Sequence, residues 1–239
     1  MADTSEHLVK SYDTQLNRLR DMLTEMGGIV ESQVALAAEA IMNRDSAAAT
    51  RAVEEDPKVD ALEREVEQFV IQLLALRQPM AGDLRRIVAA LKITGDLERI
   101  GDYAANVAKR SIVLAQYTLP YSLAGLGHMA DLVQEQLKSI IDALGAHDTE
   151  KAIEVWRSDR VVDDIYNALF RELITYMMED PRNITPCTHL LFIAKNLERI
   201  GDHTTNIAET VYYAVEGEVI PDARPKGDTS AYAVIRPKE

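Results

Sequence analysis

An all-α fold made of two tandem, pseudo-symmetric three-helix bundles is the architecture this sequence predicts, on three observations. The first is composition. Of 239 residues only 11 are glycine and 8 proline, and aromatic residues make up 5%, while alanine, leucine, glutamate and arginine abound, the balance of long helices rather than of a sheet. The second is an apolar stripe recurring at three- and four-residue steps along most of the chain. The third is a repeat: Leu97-Glu98-Arg99-Ile100-Gly101-Asp102 returns one hundred positions later as Leu197-Glu198-Arg199-Ile200-Gly201-Asp202, and Asn106-Val107-Ala108 is answered by Asn206-Ile207-Ala208. A duplicated unit explains such a return.

Taken in order, the first helix starts near Ser5 or Ser11 and runs to about Met42 on the stripe Leu16, Leu19, Leu23, Met26, Val30, Val34, with Gly27-Gly28 as a candidate bend. Asp45 or Ser46 then caps a short helix that is expected to end before Asp56-Pro57. Val59, Leu62, Val66, Phe69, Val70 and Leu73 carry the second long helix as far as Gln78, because Pro79 disfavours a helical residue before it. A third helix, from about Gly82 to Ala115, holds the first copy of the repeat. Leu119-Pro120 punctuates the chain and divides it into a first bundle (1–119) and a second (120–217). The second half follows the same plan, with helices at about 122–145, 149–179 (broken near Ser158) and 184–215. Asp45, Asp56 and Asp60 correspond to Asp148, Asp159 and Asp163. From Gly217 on, periodicity stops and prolines recur, so residues 218–239 are expected to form a flexible tail.

Composition also narrows the function. A formal charge of -13 argues against nucleic-acid binding, which needs a basic patch to displace phosphate counterions. Cations are the better partners. The single cysteine, Cys187, provides neither a disulfide framework nor a thiolate metal site. The N-terminus has no basic-then-apolar leader, and no stretch reaches the ~18 apolar residues of a membrane span, so a cytoplasmic protein is expected.

The chemistry lies in angular positions at about 100° per residue. On the third helix Leu97, Ile100, Ala104 and Val107 form an apolar face, and Glu98, Asp102 and Asn106 project from nearly the opposite side. Asp56, Asp60, Glu63 and Glu67 line the flank of the preceding helix, as Asp159, Asp163 and Asn167 do in the second half. A bundle can bring these flanks together, so that Asp56 and Asp60 meet Glu98 and Asp102, while Asp159 and Asp163 meet Glu198 and Asp202. A single Glu-x-x-x-Asp pair is ordinary for a solvated face, where ion pairs to Arg99 or Arg199 are worth only ~0–1 kcal/mol. Here the acids recur, and each copy carries Gly101 or Gly201 inside a helix, where glycine costs roughly 1 kcal/mol relative to alanine. Close approach of a neighbouring helix accounts for the glycines. Converging carboxylates repel unless a cation neutralises them, and hard oxygen donors suit Mg²⁺, Mn²⁺, Ca²⁺ or iron.

These residues resemble the PhoU family of phosphate-uptake regulators. Leu76-Arg77-Gln78-Pro79 with Asp83-Leu84-Arg85, both Leu-Glu-Arg-Ile-Gly-Asp copies, Tyr176-Met177 with Glu179-Asp180-Pro181-Arg182, and His203 with Asn206-Ile207-Ala208-Glu209 carry the likeness, which spans about residues 8 to 215. The resemblance implies two three-helix bundles with surface clusters of divalent or ferric metal (Mg, Mn, Fe or Zn). The ligands it assigns are Asp56, Asp60, Glu98 and Asp102 in one bundle and Asp159, Asp163, Glu198 and Asp202 in the other. Because Asp56 precedes Pro57 and reads as a helix cap, Glu63 and Glu67 stand as alternative ligands. The resemblance further implies a non-enzymatic, homodimeric negative regulator. It would act as an adaptor between the ATPase subunit of the high-affinity phosphate ABC transporter and a phosphate-sensing histidine kinase, reaching the membrane only through those partners.

Two other readings compete with the regulator. A di-iron carboxylate enzyme draws Glu-x-x-His motifs from two helices of its bundle, and that spacing does not occur here. His203 has Tyr103 as its counterpart and is read as a surface or partner-contact residue. A metal-free scaffold is the other alternative. Arg77, Arg85 and Arg86 could hold an anion, against the simpler expectation of internal ion pairs or partner contacts.

Overall fold

The structure, a computed structural model, describes residues 2–119, 122–224 and 227, with side chains from residue 12 onward. Six long helices follow one another: α1 (Ala2–Asn43), α2 (Ser46–Arg77), α3 (Ala81–Leu114), α4 (Ala124–Ala146), α5 (Thr149–Glu179) and α6 (Ile184–Glu216). A short 3₁₀ turn, Pro181–Asn183, leads into α6, and no strand occurs among the described residues.

Equivalent residues open α2 and α5. The Asp45 carboxylate accepts from the Ala47 and Ala48 N–H groups at 2.8 and 3.1 Å, and Asp148 accepts from Lys151 N–H at 3.0 Å, so each satisfies backbone donors that a helix start leaves without partners. Gln78 closes α2 in the left-handed conformation, and Gly217 closes α6 the same way with φ 83°.

The breaks expected before Pro57 and near Ser158 do not occur, and α2 and α5 are each continuous. Proline removes one helical hydrogen bond, yet Ala52 and Val59 on either side of it are at most 1% exposed, and their packing holds the helix together. Asp56 is therefore a mid-helix residue and not a cap. α1 runs unbroken through Gly27-Gly28, as expected of a helix reaching Met42. A Cβ on Gly27 would collide with the Ile141 side chain on α4.

Within each half the three helices pack on one another, and the halves join where α3 meets α6 and α1 meets α4. Leu97, Ile100, Leu197 and Ile200 are at most 1% exposed and belong to a single apolar core that runs through both halves. Burial of each such side chain stabilises the fold by about 1.5–3 kcal/mol.

Polar pairs show how α3 and α6 cross. Asp96 meets His203 and Asn206, Tyr103 meets His203, and Arg110 meets His189 and the Phe192 ring. As the number rises on α3 it falls on α6. The two helices are antiparallel, and the pairs centre near Gly101 and Gly201. Tyr103 and His203, equivalent positions of the two copies, face each other with ring centroids 5.6 Å apart. His203 donates from Nδ1 to Asp96 Oδ1 at 2.7 Å with 22% of its side chain exposed, so it joins the two halves rather than waiting at the surface for a partner.

Candidate metal-binding faces

The glycines of the repeat set the distance between helices. A Cβ on Gly101 would stand 3.0 Å from Gln33 Oε1 on α1 and 3.5 Å from Val59 Cγ1 on α2. On Gly201 it would stand 3.5 Å from both Gln136 Oε1 and Val162 Cγ1, the equivalent residues of the second half. Both glutamine oxygens are buried with no hydrogen-bond partner among the described residues. Close approach draws α2 up to α3, and α5 up to α6, at the level of the acids.

In the first half Asp56, Asp60 and Glu63 of α2 share a face with Glu98 and Asp102 of α3. All but Asp102 are half-buried, and Asp102 is exposed. Desolvation raises the Glu98 carboxyl above its ordinary value, and the charges of Asp102 and Glu63 push it further. Desolvation, then Asp56 and Asp60, do the same to Asp102. Glu63 is raised by desolvation, then by Glu67 and Asp60. Five carboxylates therefore sense one another across two helices, with Glu67 beside them. Arg99, Arg64 and Lys109 offset this repulsion in part: Arg99 Nε lies 3.6 Å from Glu98 Oε2 with 62% of its side chain exposed, and the neutral Gln33 amide donates from Nε2 to Asp56 Oδ1 at 3.2 Å.

The equivalent face of the second half is covered. Asp159, Asp163 and Glu198 are only 2%, 3% and 4% exposed, contrary to the expectation that the acids stay out of the interior. The cover is the segment after α6. Arg224 donates from Nε to Asp159 Oδ2 at 2.9 Å and from Nη2 to Asp202 Oδ1 at 2.7 Å, and also reaches Asn206 Oδ1 and the Asp202 carbonyl. Gly227 N–H donates to Asp163 Oδ2 at 2.6 Å while its carbonyl accepts from Asn167 Nδ2 at 2.7 Å. Thr205 adds a hydroxyl to Asp159 Oδ1 at 3.1 Å. Glu198 turns to Lys195 at 2.8 Å, and that ammonium also lies over the Tyr166 ring. The expected flexible tail is thus, at Arg224 and Gly227, part of the second face; residues 225, 226 and 228–239 lie outside those described.

Asp56, Asp60, Glu98 and Asp102 thus share the first face with Glu63, and Arg224 and Gly227 gather Asp159, Asp202 and Asp163 on the second, where Glu198 pairs with Lys195 instead. Among the described residues no three carboxylate, histidine or cysteine side chains stand in a finished metal-binding geometry. The donor chemistry nevertheless fits a hard cation: in the first face crowded oxygens raise one another's proton affinity, and in the second a guanidinium already bridges two of them. Arg224, Gly227 and the glutamines were not singled out from the sequence, although a basic Arg-Pro-Lys run in so acidic a chain was a signal for the first; Asn167, read from the sequence as part of the acid flank, holds the Gly227 carbonyl. The anion site considered at Arg77, Arg85 and Arg86 has internal partners instead: Gln15 at 2.7 Å for Arg77, the Ala214 carbonyl at 3.2 Å for Arg85, and Asp83 at 3.9 Å for Arg86.

The arrangement has relatives. The family profile for the PhoU domain matches residues 23–111 and again 126–211, one match on each three-helix unit. This chain belongs to the PhoU family. Among PhoU relatives, the phosphate-specific transport system accessory protein PhoU homolog of Caulobacter vibrioides is 51% identical over 94% of this chain and 98% of its own length. The homolog of the same description from Rhizobium meliloti is 48% identical over 94% and 95%. The crystal structure of PhoU from Pseudomonas aeruginosa superposes with a TM-score of 0.85 at 40% identity, covering 87% of this chain and 100% of that one. The phosphate transport system regulatory protein PhoU from Streptococcus pneumoniae gives 0.81 at 30% identity over 87% and 99%. The PhoU fold of two helical units is thereby established for this chain.

Proposed function

We propose that this PhoU-family chain is a non-enzymatic negative regulator of phosphate uptake and of the phosphate-starvation response. It acts as an adaptor between the ATPase subunit of a phosphate ABC transporter and a phosphate-sensing histidine kinase. The observation that carries the reading is the doubled PhoU domain, together with relatives that cover nearly the whole chain and are named as accessory proteins of phosphate-specific transport. Two acidic faces on a helical scaffold suit contact with basic or metal-bridged surfaces of such partners. No helix among the described residues is long and apolar enough to cross a membrane, which agrees with attachment through partners. In the first face Asp56, Asp60, Glu63, Glu98 and Asp102 would hold divalent or ferric ions; in the second Asp159, Asp163, Glu198 and Asp202 would do so. The metal's contribution is charge neutralisation and bridging, with no reaction at the ion.

Deleting the gene should leave starvation-response genes switched on in phosphate-rich medium. Restoring the parent chain should silence them. The informative variant changes Glu98 and Glu198 to glutamine and Asp102 and Asp202 to asparagine. Loss of both metal and repression supports the reading, whereas a folded, metal-free variant that still represses removes metal from it. Repression that persists after gene deletion removes the regulator itself.

A further inference from the structure

The two faces descend from one repeat, yet they differ in where their counter-charge comes from. On the first, the carboxylates of α2 and α3 open to solvent, and the cation beside Glu98 is the exposed Arg99. On the second, Arg224 ties α5 to α6 by pairing with Asp159 and Asp202 at once, with only 17% of its side chain exposed. Charge-assisted bonds of 2.7–2.9 Å in so sheltered a place are strong. Two further contacts hold the strap in register, the Gly227 N–H on Asp163 and the Asn167 amide on the Gly227 carbonyl. A side chain at Gly227 would crowd Asp163, since its Cβ would lie 3.2 Å from the Asp163 Cβ. Ile220 packs against the core between the end of α6 and this site. The segment therefore occupies oxygen atoms equivalent to those left open in the first half.

We propose that Ile220, Arg224 and Gly227 form a built-in competitor for the second acidic face, with the Arg224 guanidinium standing where a multivalent cation would otherwise bind. The inference rests on the metal reading above and adds that the faces are unequal: the first takes a cation directly, and the second only when the strap is displaced. Arg224 follows Gly217 by seven residues, and such a short tether gives it an effective concentration on the order of millimolar. A cation must outcompete that local concentration. Release would open a concealed acidic surface, so cation level at this one face would control exposure of part of the molecule.

The test uses the full-length protein with Mn²⁺ as probe. Electron paramagnetic resonance should show the parent binding Mn²⁺ at its first face well below the concentration needed for the second. Arg224→Ala should strengthen binding at the second face by about tenfold or more, as removal of a tethered competitor predicts, and Arg224→Lys, which keeps the charge but loses the two-pronged geometry, should fall between. Adding Asp202→Asn to Arg224→Ala should erase the gained sites. Trypsin provides a readout free of metal: it spares the Arg224-Pro225 bond and cuts on the N-terminal side of Gly227, whose backbone is held by Asp163 and Asn167. Cleavage there should be slow in the parent, faster with saturating Mn²⁺, and fast in Arg224→Ala without metal. Equal second-face affinity in parent and Arg224→Ala overturns the competition while first-face binding keeps the metal reading alive. Absence of Mn²⁺ binding at either face, in every variant, overturns both. Equal trypsin rates in parent and variant also overturn the strap.

Discussion

Gly101 and Gly201 occupy equivalent positions but do not meet equally tight neighbours. A methyl group at Gly101 would come to 3.0 Å of Gln33 Oε1, and at Gly201 to 3.5 Å of Gln136 Oε1. Alanine is favoured over glycine in a helix by roughly 1 kcal/mol. Gly201→Ala should therefore be neutral or stabilising by up to about that amount, while Gly101→Ala should lose the benefit because the buried amide has to move. Leucine at either position should destabilise by about 1–3 kcal/mol through overpacking. Gly95, with nothing within 4 Å of an added Cβ, is the control, and Gly95→Ala should show the propensity gain. Thermal denaturation of the set checks the order, and a Gly201→Leu protein as stable as the parent would remove close approach as the reason for the glycine. At this scale the repeated glycine was legible as a close contact because it recurs against its own cost. Its contact atoms were not, since Gln33 lies far away in sequence and nothing in a single chain names the opposite helix.

For the helices, the apolar stripes located all six elements, and the interruption expected at Pro57 was the main error. Propensity weighs the lost hydrogen bond, whereas the outcome was settled by Ala52 and Val59, whose burial depends on α1 and α3. Caps were easier to read, being local. Asp45→Ala and Asp148→Ala should each lower stability by about 1 kcal/mol, measurable by urea denaturation, and a change within error would mean that the flanking packing makes the caps redundant. The acid flank of α2 and α3 has a pH signature. Because the folded protein raises the carboxyls of Glu63, Glu98 and Asp102, their protonation favours the folded state: their contribution improves as pH falls from neutrality through the raised values and is complete below the ordinary carboxylate range of about 4. Asp102→Asn should accordingly stabilise metal-free protein at pH 7 by a few tenths of a kcal/mol, on the scale of about 0.2–0.5 kcal/mol for a helical like-charge pair, with the gain fading near pH 4. Mn²⁺ should stabilise the parent more than this variant. A gain that persists unchanged at pH 4 would rule out charge repulsion as its origin.

At the scale of the whole molecule, both halves draw on one core, and α3 and α6 exchange polar partners along their length. Unfolding should therefore appear as a single cooperative transition by circular dichroism and by the fluorescence of Trp156, the only tryptophan, which lies in the second half with its indole N–H on Glu209 at 2.9 Å. Two separated transitions would show that the halves are independent. Repetition made the doubled architecture visible in the sequence, and it also hid what is not repeated. Arg224 has no counterpart in the first half, so the comparison of copies passed over it. The strap was equally invisible to periodicity, because a segment held by one guanidinium and one glycine needs neither stripe nor helix.

The meeting of Tyr103 with His203 has a consequence for ancestry. A residue that touches its own copy lies next to an axis of approximate two-fold rotation, the arrangement found when two identical chains associate face to face. Before the duplicated segments were joined, one such unit would have formed the α3–α6 contact with a second molecule of itself, and any change at this position would have struck both sides at once. Fusion freed the two sides to diverge. Tyrosine could remain on one while histidine, facing Asp96, arose on the other, and a self-complementary seam became a directional one. An engineered half-chain ending after α3 should recover the older state by pairing with itself, and Tyr103→Asp, placing like charges against each other across that axis, should keep it monomeric.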